Sequence, residues 1–382
     1  MRDVLVIGAG PGGLAAAAEL GRRGMRATVV DKADAVGSAW RRHYERLHLH
    51  TIRRNSHLPG LKIPSAYGPW VARADVVRYL EDYTAHHRLD VHLGVTIDGL
   101  DRGGEGWITR SPQGDLSARF VVVATGYNHT PDIPAWPGRE SFDGGLLHSA
   151  DYRNPSPYAG RDVLVVGTGN TGAEIAVDLV EGGAASVRLA VRTVPTFVRR
   201  EVGPMLDNSS TGILLRKLPV RLVDRIIALS SRLTTPDLSA HGLPRPAPGA
   251  YTRLLADGAV PIIDVGLIDA LQAGKVEVVA AVAGFADDKV LLADGTTLAP
   301  DTVIAATGFR QGLDDLVGRF GLLDSQGRPT VHGTRTHPNA PDLYFTGYTN
   351  PISGMFRELR IDARRIARAI ARRASGGLDE HR

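Results

Sequence analysis

Residues Asp3–Lys32, "DVLVIGAGPGGLAAAAELGRRGMRATVVDK", decide the fold. Val4–Ile7 is a continuous apolar run, the pattern of a strand buried on both faces. A glycine-rich turn follows, then an alanine-rich stretch with helical character, then the second strand "ATVVD". Strand, turn, helix and strand in this order make one βαβ unit of a parallel sheet. The same grammar returns at Arg161–Arg192, "RDVLVVGTGNTGAEIAVDLVEGGAASVRLAVR". The fold class is therefore α/β, with two Rossmann-type dinucleotide-binding domains.

A bare GxGxxG match carries little weight in a chain with 44 glycines among 382 residues, where chance alone supplies about 0.6 of them. Context carries it instead. Gly8, Gly10 and Gly13 follow an apolar strand and open a helix, and so do Gly167, Gly169 and Gly172. Such glycines serve a tight turn, close backbone approach to a diphosphate, and helix-on-strand packing. The helix N-terminus then presents its partial positive charge to the diphosphate.

The ends of the second strands separate the two ligands. Asp31 closes the first unit, and a carboxylate there accepts hydrogen bonds from a ribose 2′-hydroxyl. Arg192 stands at the equivalent place in the second unit, where a guanidinium suits a 2′-phosphate. The first unit is accordingly expected to hold FAD and the second NADPH, with Arg199 and Arg200 as neighbours able to share the role of Arg192.

Two further segments match each other: "ARFVVVATGYN" (118–128) and "PDTVIAATGFR" (300–310), each an apolar strand running into Ala-Thr-Gly. Their order suggests one domain inserted into another. The FAD domain is expected over 1–150 and 300–382, and the NADPH domain over 155–295. A helical insertion is expected around 203–260, split near Pro219, lining an apolar cavity.

Composition limits the alternatives. Hydrophobic residues make up 43% and charged residues 23%, the balance of a soluble globular protein. No run of about 18 apolar residues is present, which argues against a membrane span. The N-terminus reads as a buried strand rather than a leader, so the expected location is cytoplasmic. Cysteine is absent, which excludes thiolate metal sites, thiol nucleophiles and dithiol redox chemistry; no metal site is expected. The net charge is only +4. The arginine-rich stretch 360–373 places Ile361, Ile366, Ala369 and Ile370 along one face of an amphipathic helix, and no aromatics interleave with the charge. It reads as a packed surface helix, not a nucleic-acid site.

Between the two units lies "FDGGLLHSADY", matching FxGxxxHxxxY at Phe142, Gly144, His148 and Tyr152. With this segment the chain resembles the flavin-containing monooxygenases, and within them the YUCCA group acting on indole-3-pyruvate. "VGSAW" (36–40), "YERLHLH" (44–50), "LPVRLVDR", "HGLPRP", "PIIDVG" and "LYFTGYTNPISG" extend the resemblance nearly end to end. Tyr152 stands where Baeyer–Villiger enzymes of the superfamily usually carry tryptophan. His50 stands where amine-oxidising members carry asparagine.

The resemblance implies hydride transfer from NADPH to FAD, capture of O2 as a flavin peroxide, and oxygenation of a small organic substrate. A YUCCA-like member would oxidatively decarboxylate an aryl 2-oxo acid. N- or S-oxygenation and Baeyer–Villiger oxidation are the alternatives, followed by an NADPH oxidase or flavin reductase and by a non-enzymatic nucleotide sensor. It also implies that His148 shapes the linker and nicotinamide site.

The candidate residues are His50 for catalysis, by hydrogen bonding or by steering a carboxylate, with simple packing as the other reading. Gly8, Gly10, Gly13, Asp31, Lys32, Trp40, Thr125, Gly126, Asn350 and Gly354 are candidates for FAD. Gly167, Gly169, Asn170, Thr171, Gly172, Arg192, Thr307 and Gly308 are candidates for NADPH. Partners are a small-molecule substrate and O2, with no nucleic acid and no membrane; a homodimer is left open.

Overall fold

The computed structural model describes residues 2–200, 210, 213, 215, 218–247, 249–257 and 261–376, except the side chains of 199 and 257. The rest of the expected 203–260 insertion lies outside the described residues. The chain divides into two compact units. One comprises Met1–Arg41, Thr51–Thr130 and Phe309–Arg382; the other comprises Arg42–His50 and Pro131–Gly308. Both are Rossmann-type units, the second inserted into the first.

In the first unit, strands Asp90–Leu93, Ala27–Asp31, Arg2–Ile7 and Leu116–Val123 run parallel, in that order. The far edge of Leu116–Val123 is shared. Its C-terminal half pairs in parallel with Leu343–Phe345, and its N-terminal half pairs antiparallel with Gly106–Arg110, which Gly99–Gly103 extends. Val4, Leu5, Val6 and Val121–Val123 are wholly buried, as a sheet covered on both faces requires.

Helix Pro11–Gly21 begins with proline in its first turn, where no intrahelical N–H is needed, and buries Gly12 through Leu20. Its alanines let it lie close to the sheet and to the last helix, Met355–Ala374. That last helix buries Phe356, Leu359, Ala363, Ile366, Ala367 and Ile370. Ile361 and Ala369 are only half-buried, so the apolar face lies about one residue round from its expected position.

In the second unit, strands Glu277–Ala280, Ser186–Val191, Asp162–Val166, Thr302–Ala305 and Gly145–His148 form a parallel sheet. A meander of Val282–Ala286, Lys289–Leu292 and Thr297–Leu298 packs Phe285, Val290 and Leu292 into the core beside Leu164 and Val303.

The boundaries differ from expectation. Residues 131–150 belong to the inner unit because Gly145–His148 pairs with Thr302–Ala305 as an edge strand. Residues 42–50 belong there too, because Tyr44, Arg46 and His50 attach to helix Asn170–Glu181. Helix Val220–Thr234 starts directly after Pro219. Its stripe of Leu222, Ile226, Leu229 and Leu233 is 36–78% exposed, so this face is solvent-facing rather than a cavity lining.

Candidate cofactor and active site

Each unit builds its glycine turn in the same way. Gly8 and Gly167 have φ of +113° and +120°, a region that side chains disfavour. A Cβ on Gly8 would sit 2.4 Å from the Ala124 carbonyl oxygen, and one on Gly167 would sit 2.3 Å from that of Ala306. At Gly13 and Gly172 a Cβ would strike the carbonyl oxygen of the first glycine of its own turn, at 1.9 and 2.0 Å. These four glycines are demanded by the protein's own packing.

Gly10 and Gly169 are different. They cap helices Pro11–Gly21 and Asn170–Glu181 with near-identical extended backbones, and a Cβ on either would meet no protein atom within 4 Å. Protein packing does not explain glycine there. A diphosphate lying against the backbone would. Both turns therefore fit a dinucleotide.

Around the first turn, Asp31 is fixed by two backbone donors, Ala9 N at 2.7 Å and Ala33 N at 2.8 Å. Its carboxylate is thus oriented at the turn, with further lone pairs able to accept hydrogen bonds. The Lys32 ammonium lies 3.2 Å from His129 Nε2. Trp40 packs edge-on against Phe356, with ring centroids 5.8 Å apart. Thr125 is tied through its backbone N–H and its hydroxyl to the Tyr348 hydroxyl, at 3.1 and 2.7 Å. Burial pushes that phenol up to about 12, so it stays protonated. Gly126 has φ +96° and open space at its Cβ position. Asn350 is exposed, and Gly354 caps the last helix where a Cβ would press on Thr51.

Around the second turn, several candidates have structural duties. Asn170 accepts a hydrogen bond from Ile263 N at 2.7 Å, pinning strand Ile262–Asp264. Thr171 lies in the first turn of helix Asn170–Glu181. The Thr307 hydroxyl donates to the Asp132 carbonyl at 2.5 Å, and Gly308 has φ +93° with open space beside it. Arg192 follows strand Ser186–Val191 directly, exposed, with no hydrogen-bond or ion-pair partner among the described residues. Arg200 donates to the Leu49 carbonyl at 3.1 Å.

His148 is neither exposed nor free to shuttle. Its Nε2 donates to the Gly308 carbonyl at 3.0 Å, and its Nδ1 accepts from Ala150 N at 3.0 Å. Burial lowers its pKa. Tyr152 is buried and donates to Asp178 at 2.7 Å. Desolvation raises both pKa values, so this phenol is a fixed donor.

The same helix takes His50. Its Nε2 lies 2.7 Å from Glu174 Oε1, while Tyr44 donates to Oε2 at 3.0 Å. Arg46 bonds Glu181 and lies 3.8 Å from Asp178. Reasoning from sequence missed Glu174, Asp178 and Glu181. Their signal is visible in "AEIAVDLVE": carboxylates at i, i+4 and i+7 share one face of an otherwise apolar helix, and buried carboxylates need donors.

A family model described as pyridine nucleotide-disulphide oxidoreductase matches residues 5–207. "Indole-3-pyruvate monooxygenase YUCCA1" of Oryza sativa subsp. japonica is 36% identical over 353 residues, 90% of this chain and 86% of that protein. The chain belongs to the flavin-containing monooxygenase superfamily, on its YUCCA-like side. "Probable indole-3-pyruvate monooxygenase YUCCA7" of Arabidopsis thaliana is 32% identical, covering 96% of this chain and 87% of that one. Among solved structures, a flavin-containing monooxygenase from Stenotrophomonas maltophilia is 28% identical with a TM-score of 0.71, covering 96% of this chain and 99% of that one. Cyclohexanone monooxygenase, at 18% identity and a TM-score of 0.73, shares the fold over 98% of this chain and 88% of its own. The protein is thus an FAD- and NADPH-dependent monooxygenase acting on a small molecule with O2. The disulphide chemistry in the family model's name has no counterpart in a chain without cysteine.

Proposed function

We propose that this YUCCA-like monooxygenase oxidatively decarboxylates an aryl 2-oxo acid. The observation that carries the reading is similarity over 90% of the chain to a rice enzyme whose name states indole-3-pyruvate as substrate. The overall change balances as 2-oxo acid, O2, NADPH and a proton giving the carboxylic acid shortened by one carbon, CO2, water and NADP⁺.

In this reading the first glycine turn holds FAD, with Gly10 against the diphosphate and Asp31 on the adenosine ribose. Lys32, Trp40, Thr125, Gly126, Asn350 and Gly354 complete its surroundings. The second turn holds NADPH, with Gly169 against the diphosphate and Arg192 on the 2′-phosphate. Asn170, Thr171, Thr307 and Gly308 shape that turn, Asn170 and Thr307 through the hydrogen bonds described above. Bound flavin supplies hydride acceptance and dioxygen activation; the protein orients, desolvates and holds protons. His50 is the residue assigned to the reaction, and a second copy of the chain on the exposed stripe of Val220–Thr234 would make a homodimer.

The test is the stoichiometry of NADPH oxidation with indole-3-pyruvate and phenylpyruvate against an amine, a thioether and a cyclic ketone. The proposal expects CO2 and shortened acid in step with NADPH for a 2-oxo acid. Product from the amine or thioether alone would make it a heteroatom oxygenase, and product from the ketone alone a Baeyer–Villiger enzyme. Hydrogen peroxide in step with NADPH for every compound would make it an oxidase.

A further inference from the structure

The Glu174 carboxylate is 4% exposed, and each of its oxygens has its own donor. Tyr44 Oη gives its hydrogen to Oε2 at 3.0 Å, and His50 Nε2 lies 2.7 Å from Oε1. Burial and the neighbouring carboxylate hold the Tyr44 pKa far above its ordinary value, so that phenol donates throughout the working pH range. A buried carboxylate is an acceptor only. The imidazole therefore carries hydrogen on Nε2, and its neutral form has the lone pair on Nδ1.

We infer that Glu174 is a positioning residue for the reaction: it fixes His50 as the Nε2–H tautomer and reserves the Nδ1 lone pair for the proton that the imidazole handles. This rests on the reading that His50 serves the reaction. The anchor is also well placed. Glu174 lies two residues past Gly172, on the helix whose N-terminus forms the second glycine turn. The segment carrying His50 is thereby fastened to the nicotinamide dinucleotide's own helix, not left to loop packing alone. A fixed tautomer matters because a ring free to flip presents the wrong nitrogen part of the time. One proton enters each turnover in the overall change, and an oriented imidazole is a suitable group to hold it.

The test uses holoenzyme with ring-nitrogen-labelled histidine. Two-bond proton–nitrogen spectra in alkaline buffer should show His50 as Nε2–H in the wild type. In E174Q the amide can donate as well as accept, so both tautomers should appear. The product-to-hydrogen-peroxide ratio with an aryl 2-oxo acid should fall by roughly tenfold, while FAD content and the KM for NADPH stay within about twofold. The E174Q/H50N double variant should be no worse than H50N.

A wild-type Nδ1–H signal would overturn the inference, and that spectrum decides even if E174Q fails to fold. So would E174Q with unchanged tautomer and unchanged coupling, or additive losses in the double variant. A wild type that converts no 2-oxo acid but oxygenates an amine or thioether would defeat the substrate reading alone. The E174Q comparison would then be made on that compound, with the same outcomes deciding.

Discussion

His148 Nε2 donates to the carbonyl oxygen of Gly308 across 3.0 Å. The histidine of the linker fingerprint is thereby a strut beneath the second Ala-Thr-Gly turn. Its other nitrogen is occupied by Ala150 N, so protonation at Nδ1 would break a bond. Burial sets the folded pKa below the ordinary 6.5. The sign follows: the unfolded chain binds more protons in this window, so stability is full above about pH 6.5 and declines as pH falls through the lower folded value. Urea unfolding from pH 7.5 down to pH 5 should show this decline, and His148→Gln should flatten it. An unchanged profile in the variant would show that His148 is not the group responsible.

Tyr152 and Asp178 offer a second measurement. Replacing Tyr152 with Phe keeps the ring and strips the donor from a buried carboxylate, at a cost of about 1–3 kcal/mol in urea unfolding. The loss should be smaller in acid. Burial raises the Asp178 pKa, so the neutral acid is favoured as pH drops through that value toward 3.8.

The glycines separate packing from ligand. Gly8→Ala places a Cβ 2.4 Å from the Ala124 carbonyl at positive φ, so it should lower stability by about 1–3 kcal/mol even without FAD. Gly10→Ala meets no protein atom within 4 Å. It should leave apoprotein stability within about 1 kcal/mol and weaken FAD retention by at least roughly tenfold. Equal effects from the two would contradict the assignment of Gly10 to the diphosphate.

Arg192→Ala should raise the KM for NADPH by about 10–100-fold and leave the KM for NADH nearly unchanged, since only the former carries the 2′-phosphate. An equal rise for both would move that role to another residue, such as Arg200.

The fold was legible because both βαβ units combine signals of different kinds: a period-free apolar strand, a glycine turn and a helix that follows at once. The domain boundary was less so. Whether Gly145–His148 joins one sheet or the other depends on its long-range pairing with Thr302–Ala305, which no local pattern reports. Glu174 and Asp178 look like ordinary helix carboxylates until Tyr44, His50 and Tyr152 arrive from distant segments to satisfy them. The apolar stripe of Val220–Thr234 has helical spacing whichever way it faces. Its exposure is set by tertiary packing alone.

In the proposed reaction, NADPH and O2 are spent on putting one oxygen atom into a 2-oxo acid. Turnover of phenylpyruvate under isotopically labelled dioxygen tests it most directly. The shortened acid should carry one labelled atom, with one CO2 released and one NADPH consumed. Unlabelled acid, with labelled hydrogen peroxide matching NADPH, would contradict it.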